Sequence, residues 1–418
     1  MIISKSNIKG TITANPSKSH EQRLFCCALL SNGISTINNI GHSDDVRVFR
    51  EISENMGACI NISDNTAVIE GGLKKNEKIF CGESAFCARL FTPVSCIVNN
   101  DFTVTGEKTL LNRPVCEDFE ILKQMNCEYH CNENKLPVKF SKAGLMPGIY
   151  EINNPVSSQF ISGLLMSMPL LKADSKLIIN NPVSIPYLLM TLDCMEKSGV
   201  KTMYKISDNK LIVHIFGNQK YAPVNADIEG DWSSAVFFIV AAAINGQIKI
   251  SGLNINSKQA DKDILNVMEK AKIKYSYDNG ILFVEKSTVN SFDFNAINCP
   301  DIIPALIILA IFANGESKIK GANRLKIKET SRALVMQNEL NKLGIKISID
   351  DNCITVIGLQ KQNGGTINSH GDHRIAMALS ILALNNDNSV KIENHNCVSK
   401  SYPDFYNDLK KTGANIYE

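Results

Sequence analysis

At 418 residues the chain is too long for one ordinary hydrophobic core and predicts two or three domains. Its 44% apolar and 21% charged residues suit a globular protein, and a formal net charge of +2 supplies no global field for anionic partners. No lysine- or arginine-rich run forms a nucleic-acid arm, so any strongly positive site has to be assembled locally.

Taken in chain order, the first element is a strand ahead of "NPSKSHEQRLFCCALL", residues 15–30. There Pro16, two serines, Lys18 and Arg23 precede an apolar helix. Ser19 followed by Gln22 fits a capping box. The same helix start, with its positive dipole end and two flanking cations, also fits an anion site. A small-polar cluster running into an apolar helix then recurs five times, as "GESAFCARLFTPV", "VSSQFISGLLMSM", "GDWSSAVFFIVAAAI", "PDIIPALIILAIFA" and "GDHRIAMALSILAL". A turn and a short alternating strand follow each copy, as in "NGQIKISG" and "NGESKIKG".

A second, amphipathic helix and a further strand complete each unit. In "SRALVMQNELNKLGIKISI", Ala333, Met336, Leu340 and Leu343 share one face, and Gly344 falls at the C′ position. Six β-α-β-α-β-β modules result, divided most economically as three plus three. Crossings near Asn15 and Ile228 predict a discontinuous domain of residues 1–15 and 229–418, and a second domain of 16–228. Helices starting at one end of each domain would aim their positive dipole ends into the gap between the two.

The thirteen scattered cysteines show no C-x-x-C pair and no cysteine/histidine metal spacing; they read as small buried apolar residues in a reducing compartment. "MIISKSNIKG" lacks the apolar stretch of a signal peptide, and the run from Ile302 is too short to span a bilayer. The expected location is the cytoplasm.

Several polar motifs lie at helix starts. "IKETSR" carries Lys328, Glu329 and Arg332, a pattern equally at home on a solvated helix. "CPDIIPA" places Asp301 where an N-cap belongs, and "NPVSSQF" offers Ser157, Ser158 and Gln159 as hydrogen-bonding groups for phosphate oxygens. "LNRP" holds Arg113, "SKSYPDFY" holds Lys400, and "SHGDHRIAMA" holds Asp372, His373 and Arg374. His370 and His373 with Asp372 lack the further ligands of a metal site. Only eight of the 44 cations are arginine, which suits planar, two-pronged recognition of carboxylate or phosphate.

"PSKSHEQR", "GESAFCAR", "LNRP", "SSQF", "PDIIPA", "KIKETSR", "GDHRIAMA" and "KSYPDF" occur in the order seen in the 5-enolpyruvylshikimate-3-phosphate synthase family, which the whole chain resembles. The resemblance implies two inside-out α/β domains of three modules each. It also implies transfer of the enolpyruvyl group of phosphoenolpyruvate to the 5-hydroxyl of shikimate-3-phosphate, with no metal or organic cofactor, by a monomer. Shikimate-3-phosphate would be held by Lys18, Ser19, Arg23, Ser157, Ser158 and Gln159, together with Ser184, Tyr187, Asp301 and Lys328. Phosphoenolpyruvate would be held by Lys18, Ala85, Arg113 and Gln159, together with Arg332, Arg374 and Lys400. Glu329, Lys18 and Asp301 would carry the catalytic work. On the same resemblance, residues 16–228 largely serve shikimate-3-phosphate, and the discontinuous domain largely serves phosphoenolpyruvate.

The chain departs from the family pattern at Gln22, Glu83, Ala85 and Ser331. Ala85 stands where glycine is common, so its methyl would project toward the phosphoenolpyruvate pocket, which in this family also accepts glyphosate. Particular residues disfavour two other readings. A UDP-N-acetylglucosamine enolpyruvyl transferase would want an early lysine–asparagine pair and a loop cysteine, where this chain has Lys18-Ser19 and "LNRP". A non-catalytic phosphosugar-binding protein would have no use for Glu329 inside a cationic cluster.

Overall fold

The computed structural model describes residues 1–418. Helices that are apolar around their whole circumference have no face to offer water, and this decides where they lie. Every residue of Trp232–Asn245, Ile303–Ile311 and His373–Ala383 is buried. These three helices pack pairwise on one another inside a unit made of Met1–Ser17 and Glu229–Glu418. The corresponding helices of the second unit, Lys18–Ile228, are Lys18–Leu30, Ala85–Ser95 and Ser158–Ser167, buried except at Lys18, Ser19 and Gln159. Ala85–Ser95 lies against Ser158–Ser167, and Gly163 permits the approach: a Cβ there would stand 2.5 Å from the Leu90 carbonyl oxygen.

Each unit carries three four-stranded sheets, and all six sheets share one pattern. Gly246–Ser251 runs parallel to Ile8–Thr13 and antiparallel to Ile281–Glu285, which pairs antiparallel with Tyr275–Asp278. The parallel pair requires a crossover, supplied by the buried helix, and a hairpin supplies the rest. Strands alternate between core and solvent, as in Lys135–Lys142, where Leu136, Val138 and Phe140 point inward. Helices inside and sheets outside give the expected inside-out α/β architecture of six β-α-β-α-β-β modules.

Both N-terminal strands belong with the C-terminal half. Ile2–Ser4 pairs with Val390–Glu393 and Asn415–Tyr417, and Ile8–Thr13 pairs with Gly246–Ser251. The short strand Asn225–Asp227 returns to Ile34–Asn38 before the chain leaves the second unit. The second helices of the modules are amphipathic. In Arg332–Lys342 the residues Ala333, Met336 and Leu340 are buried, as is Leu343 beyond it, and Gly344 takes the left-handed conformation at φ +80°. Nine of the thirteen cysteines are buried and all are free thiols. No helix is long and apolar enough to cross a membrane.

Candidate active site

In the unit Lys18–Ile228 the polar clusters do sit at helix starts. Ser84 caps Ala85–Ser95 by accepting from the Cys87 N–H at 3.4 Å, and Ser157 caps Ser158–Ser167 by accepting from the Gln159 N–H at 3.2 Å. The expected Ser19–Gln22 capping box does not form. Helix Lys18–Leu30 begins one residue earlier, so Ser19 lies within its first turn, and Gln22 Nε2 donates to the Asp45 carbonyl at 3.2 Å instead.

One helical turn beyond Ser19, Arg23 is buried with 1% exposure. Its Nε donates to Thr191 Oγ1 at 2.8 Å, one terminal nitrogen to the Ser19 carbonyl at 2.7 Å, and the other to Ser162 Oγ at 3.3 Å. Phe86 and Tyr187 offer ring faces 5.1 and 5.8 Å away. No carboxylate pairs with it, and burial pushes its pKa down to about 10. Ser158 joins this group through its carbonyl, which accepts from Ser162 Oγ at 2.9 Å. Ser184, buried and left-handed at φ +53°, precedes the helix Ile185–Lys197 that carries Tyr187 and Thr191.

A second arginine organises the neighbouring loop. Buried Arg89 donates to Gln159 Oε1 at 3.0 Å and to the carbonyls of Pro114 and Val115, fixing the segment that follows Arg113. Ala85 is the first residue of its helix and 4% exposed, while Glu83 turns away to accept from Thr109 Oγ1 at 2.7 Å. Lys18 Nζ donates to Asp45 Oδ2 at 2.6 Å.

The discontinuous unit holds a denser cluster. Arg332, 1% exposed, is bound to three carboxylates at once: Asp372 through Nε at 2.7 Å, Asp301 at 2.8 Å, and Glu329. Asp301 also accepts from Lys328 Nζ at 3.1 Å and lies 3.3 Å from the Arg374 guanidinium. Burial alone would push the Asp301 carboxyl up. Arg374, Lys328 and Arg332 outweigh it and hold the group well below the usual carboxylate range. Burial pushes Lys328 down to about 8, partly offset by Asp301. Nearby Asp261, buried against the Ser233 hydroxyl, is pushed up to about 6 by burial and by the Asp301 charge.

Backbone geometry supports these side chains. Asp372 caps His373–Ala383 by accepting from the Arg374 N–H at 3.0 Å while its other oxygen holds Arg332. Lys400 Nζ donates to the Gly371 carbonyl at 3.2 Å, on the same loop. His370 does not turn toward a metal partner. Its Nε2 lies 2.8 Å from Glu339, which also accepts from the Asn368 N–H and Lys342. No group of three or more His, Cys, Asp or Glu is placed to hold a metal ion.

The structure therefore brings Ser19, Arg23, Ser158 and Tyr187 together around one guanidinium, and Asp301, Lys328, Glu329, Arg332 and Arg374 together around another. Arg113, Gln159 and Arg89 form a third group. The sequence motifs give no site role to Asp372, Arg89, Thr191 or Ser162. Their signal was weak, because each acts on a partner 26 to 168 residues away.

Buried arginines within the first two turns of helices, joined by lysines and short polar side chains, define an α/β protein built to handle anionic small molecules. The chain matches the EPSP synthase (3-phosphoshikimate 1-carboxyvinyltransferase) family over residues 2–409, and it belongs to that family. A 3-phosphoshikimate 1-carboxyvinyltransferase of Clostridium acetobutylicum is 37% identical, covering 98% of this chain and 96% of that protein. One from Clostridium botulinum is 35% identical over the same shares. Among solved structures, EPSP synthase from Acinetobacter baumannii shares the fold with a TM-score of 0.81 at 23% identity, covering 100% of this chain and 99% of that one. The enolpyruvyl transferase NikO from Streptomyces tendae shares it at 0.79 with 17% identity, covering 100% and 97%.

Proposed function

We propose that this chain transfers the enolpyruvyl group of phosphoenolpyruvate to the 5-hydroxyl of shikimate-3-phosphate and releases inorganic phosphate. The observation that carries this reading is the gathering of half-buried Asp301, Lys328 and Glu329 around buried Arg332 and Arg374, on a chain of this family. The hydroxyl oxygen adds to C2 and gives up its proton while C3 gains one. Loss of a C3 proton and cleavage of the C2–phosphate bond then restore the double bond.

Two phosphates and two carboxylates have to be accommodated, and buried guanidinium forks suit them. Lys18, Ser19, Arg23, Ser157, Ser158, Gln159, Ser184 and Tyr187, with Asp301 and Lys328, bind shikimate-3-phosphate. Lys18, Ala85, Arg113 and Gln159, with Arg332, Arg374 and Lys400, bind phosphoenolpyruvate. The unit Lys18–Ile228 thus serves mainly the acceptor and the discontinuous unit mainly the donor, although each contributes to both.

Arg332 gives the chemistry its logic. Three of its five N–H groups bind carboxylates, so an anionic substrate that takes up its charge competes with the two half-buried acids, Asp301 and Glu329. When the guanidinium turns to substrate, Glu329 loses its counter-charge and gains proton affinity. That makes it the proton carrier at C3, with Lys18 sharing the acid–base work and Asp301 orienting the acceptor hydroxyl. The bond changes balance without a metal or organic cofactor. We further infer a cytoplasmic monomer, in keeping with thirteen free thiols.

Phosphate release from phosphoenolpyruvate, measured with and without shikimate-3-phosphate, tests the reading. Release is expected only with that acceptor. No release, or equal release with UDP-N-acetylglucosamine, refutes it.

A further inference from the structure

Two buried arginines are held in opposite ways. Arg332 meets three carboxylates, so its charge is compensated within the protein. Arg23, equally buried, meets a carbonyl, two hydroxyls and two aromatic faces. A buried cation without a counter-ion is costly unless an anion completes it. Its N–H groups still have to be satisfied, and the satisfying groups decide how much positive charge remains available. A carboxylate would quench it; a hydroxyl accepts the hydrogen bond and leaves the charge in place.

We propose that Thr191 and Ser162 are positioning residues for the acceptor: a hydroxyl pair that aims the Arg23 guanidinium while preserving its charge. Both are fully buried, with 0% exposure. Their oxygens lie 2.8 Å apart, and each is tied one turn back along its own helix, Thr191 to the Tyr187 carbonyl at 2.9 Å and Ser162 to the Ser158 carbonyl at 2.9 Å. The pair therefore locks Arg23 to the two helices whose first turns carry Ser158 and Tyr187. Three of the five guanidinium N–H groups are used in this way, and two are left for an anionic or hydroxyl ligand. Serine at 191 would keep the hydroxyl; valine would keep the shape and lose it.

This inference rests on the acceptor reading of Arg23, and the experiment separates the two. Steady-state kinetics of phosphate release are measured for T191V, T191S, S162A and R23Q. T191V is expected to raise KM for shikimate-3-phosphate about tenfold, with kcat and KM for phosphoenolpyruvate within about twofold. T191S should return KM to within about twofold of wild type, and S162A should raise it about threefold. If R23Q raises the acceptor KM while T191V and S162A do not, the positioning role is overturned and the acceptor reading stands. If T191V lowers kcat and leaves both KM values alone, or if T191S fails to rescue, the role is overturned as well. If R23Q leaves the acceptor KM unchanged, both fall. Should T191V not fold, S162A and T191S decide the matter by the same split.

Discussion

Replacing Arg332 with methionine removes one cation from among three carboxylates and keeps an unbranched apolar stem. Two of those acids have other support. Asp301 keeps Lys328 at 3.1 Å and Arg374 at 3.3 Å, and Asp372 keeps the Arg374 N–H at 3.0 Å. Removing one partner of a buried ion pair costs about 3–5 kcal/mol, and the remaining support places R332M near the lower end, about 3 kcal/mol. In a unit of roughly 200 residues each kcal/mol moves the melting midpoint by about 2–4 °C, so the midpoint falls by about 6–12 °C at pH 8. The chain has one tryptophan, Trp232, fully buried in this unit, and its fluorescence follows this unit's melting selectively.

The pH dependence has a definite sign. In the wild type Asp301 is held below its ordinary value, so its contribution is present above about pH 4 and is lost on acidification through the folded pKa. Without Arg332 the Asp301 carboxyl is held down by Arg374 and Lys328 alone, so the variant has a smaller contribution to lose on acidification. The R332M deficit should therefore be much the same at pH 8 and pH 5 and shrink on further acidification, through the variant's own folded pKa. D372N in the R332M background should recover part of it by removing one uncompensated charge. A deficit below about 1 kcal/mol at pH 8, or one that does not shrink on acidification below about pH 4, refutes charge compensation as the role of Arg332.

Glu329→Gln should cut kcat by about a hundredfold or more while KM for shikimate-3-phosphate stays within about threefold; a turnover close to wild type moves proton transfer to another group. Ala85→Gly, which removes the methyl at the first turn of Ala85–Ser95, should lower both KM for phosphoenolpyruvate and the glyphosate inhibition constant. Equal inhibition constants in the two proteins would dismiss that steric role. Gly163→Ala places a methyl 2.5 Å from the Leu90 carbonyl oxygen and 2.6 Å from Pro93, so urea denaturation followed by circular dichroism should show a loss of about 1–3 kcal/mol. An unchanged midpoint would mean the two helices separate without cost.

What the sequence disclosed and what it hid divide along a physical line. The modules were legible because each repeats a local grammar, a polar helix start, an all-apolar helix and an alternating strand, and local grammar needs no knowledge of neighbours. The scarcity of arginine was also informative: six of the eight, Arg23, Arg50, Arg89, Arg113, Arg332 and Arg374, are buried. Scarcity predicted burial better than purpose. Arg50 serves Glu21 and the Gly41 carbonyl, and Arg89 serves Gln159 and two loop carbonyls, so both order the protein itself. What stayed hidden were pairings across long stretches of chain. The histidines beside Asp372 draw attention to a metal site that no further ligand completes, whereas its main partner, Arg332, lies 40 residues earlier. Thr191 is 168 residues from Arg23 and has no motif around it. A motif announces which charges a site contains. Whether each charge is quenched by a carboxylate or kept available by a hydroxyl depends on residues brought near by the fold, and that distinction separates Arg332, whose charge three acids compensate, from Arg23, whose charge is left for a ligand.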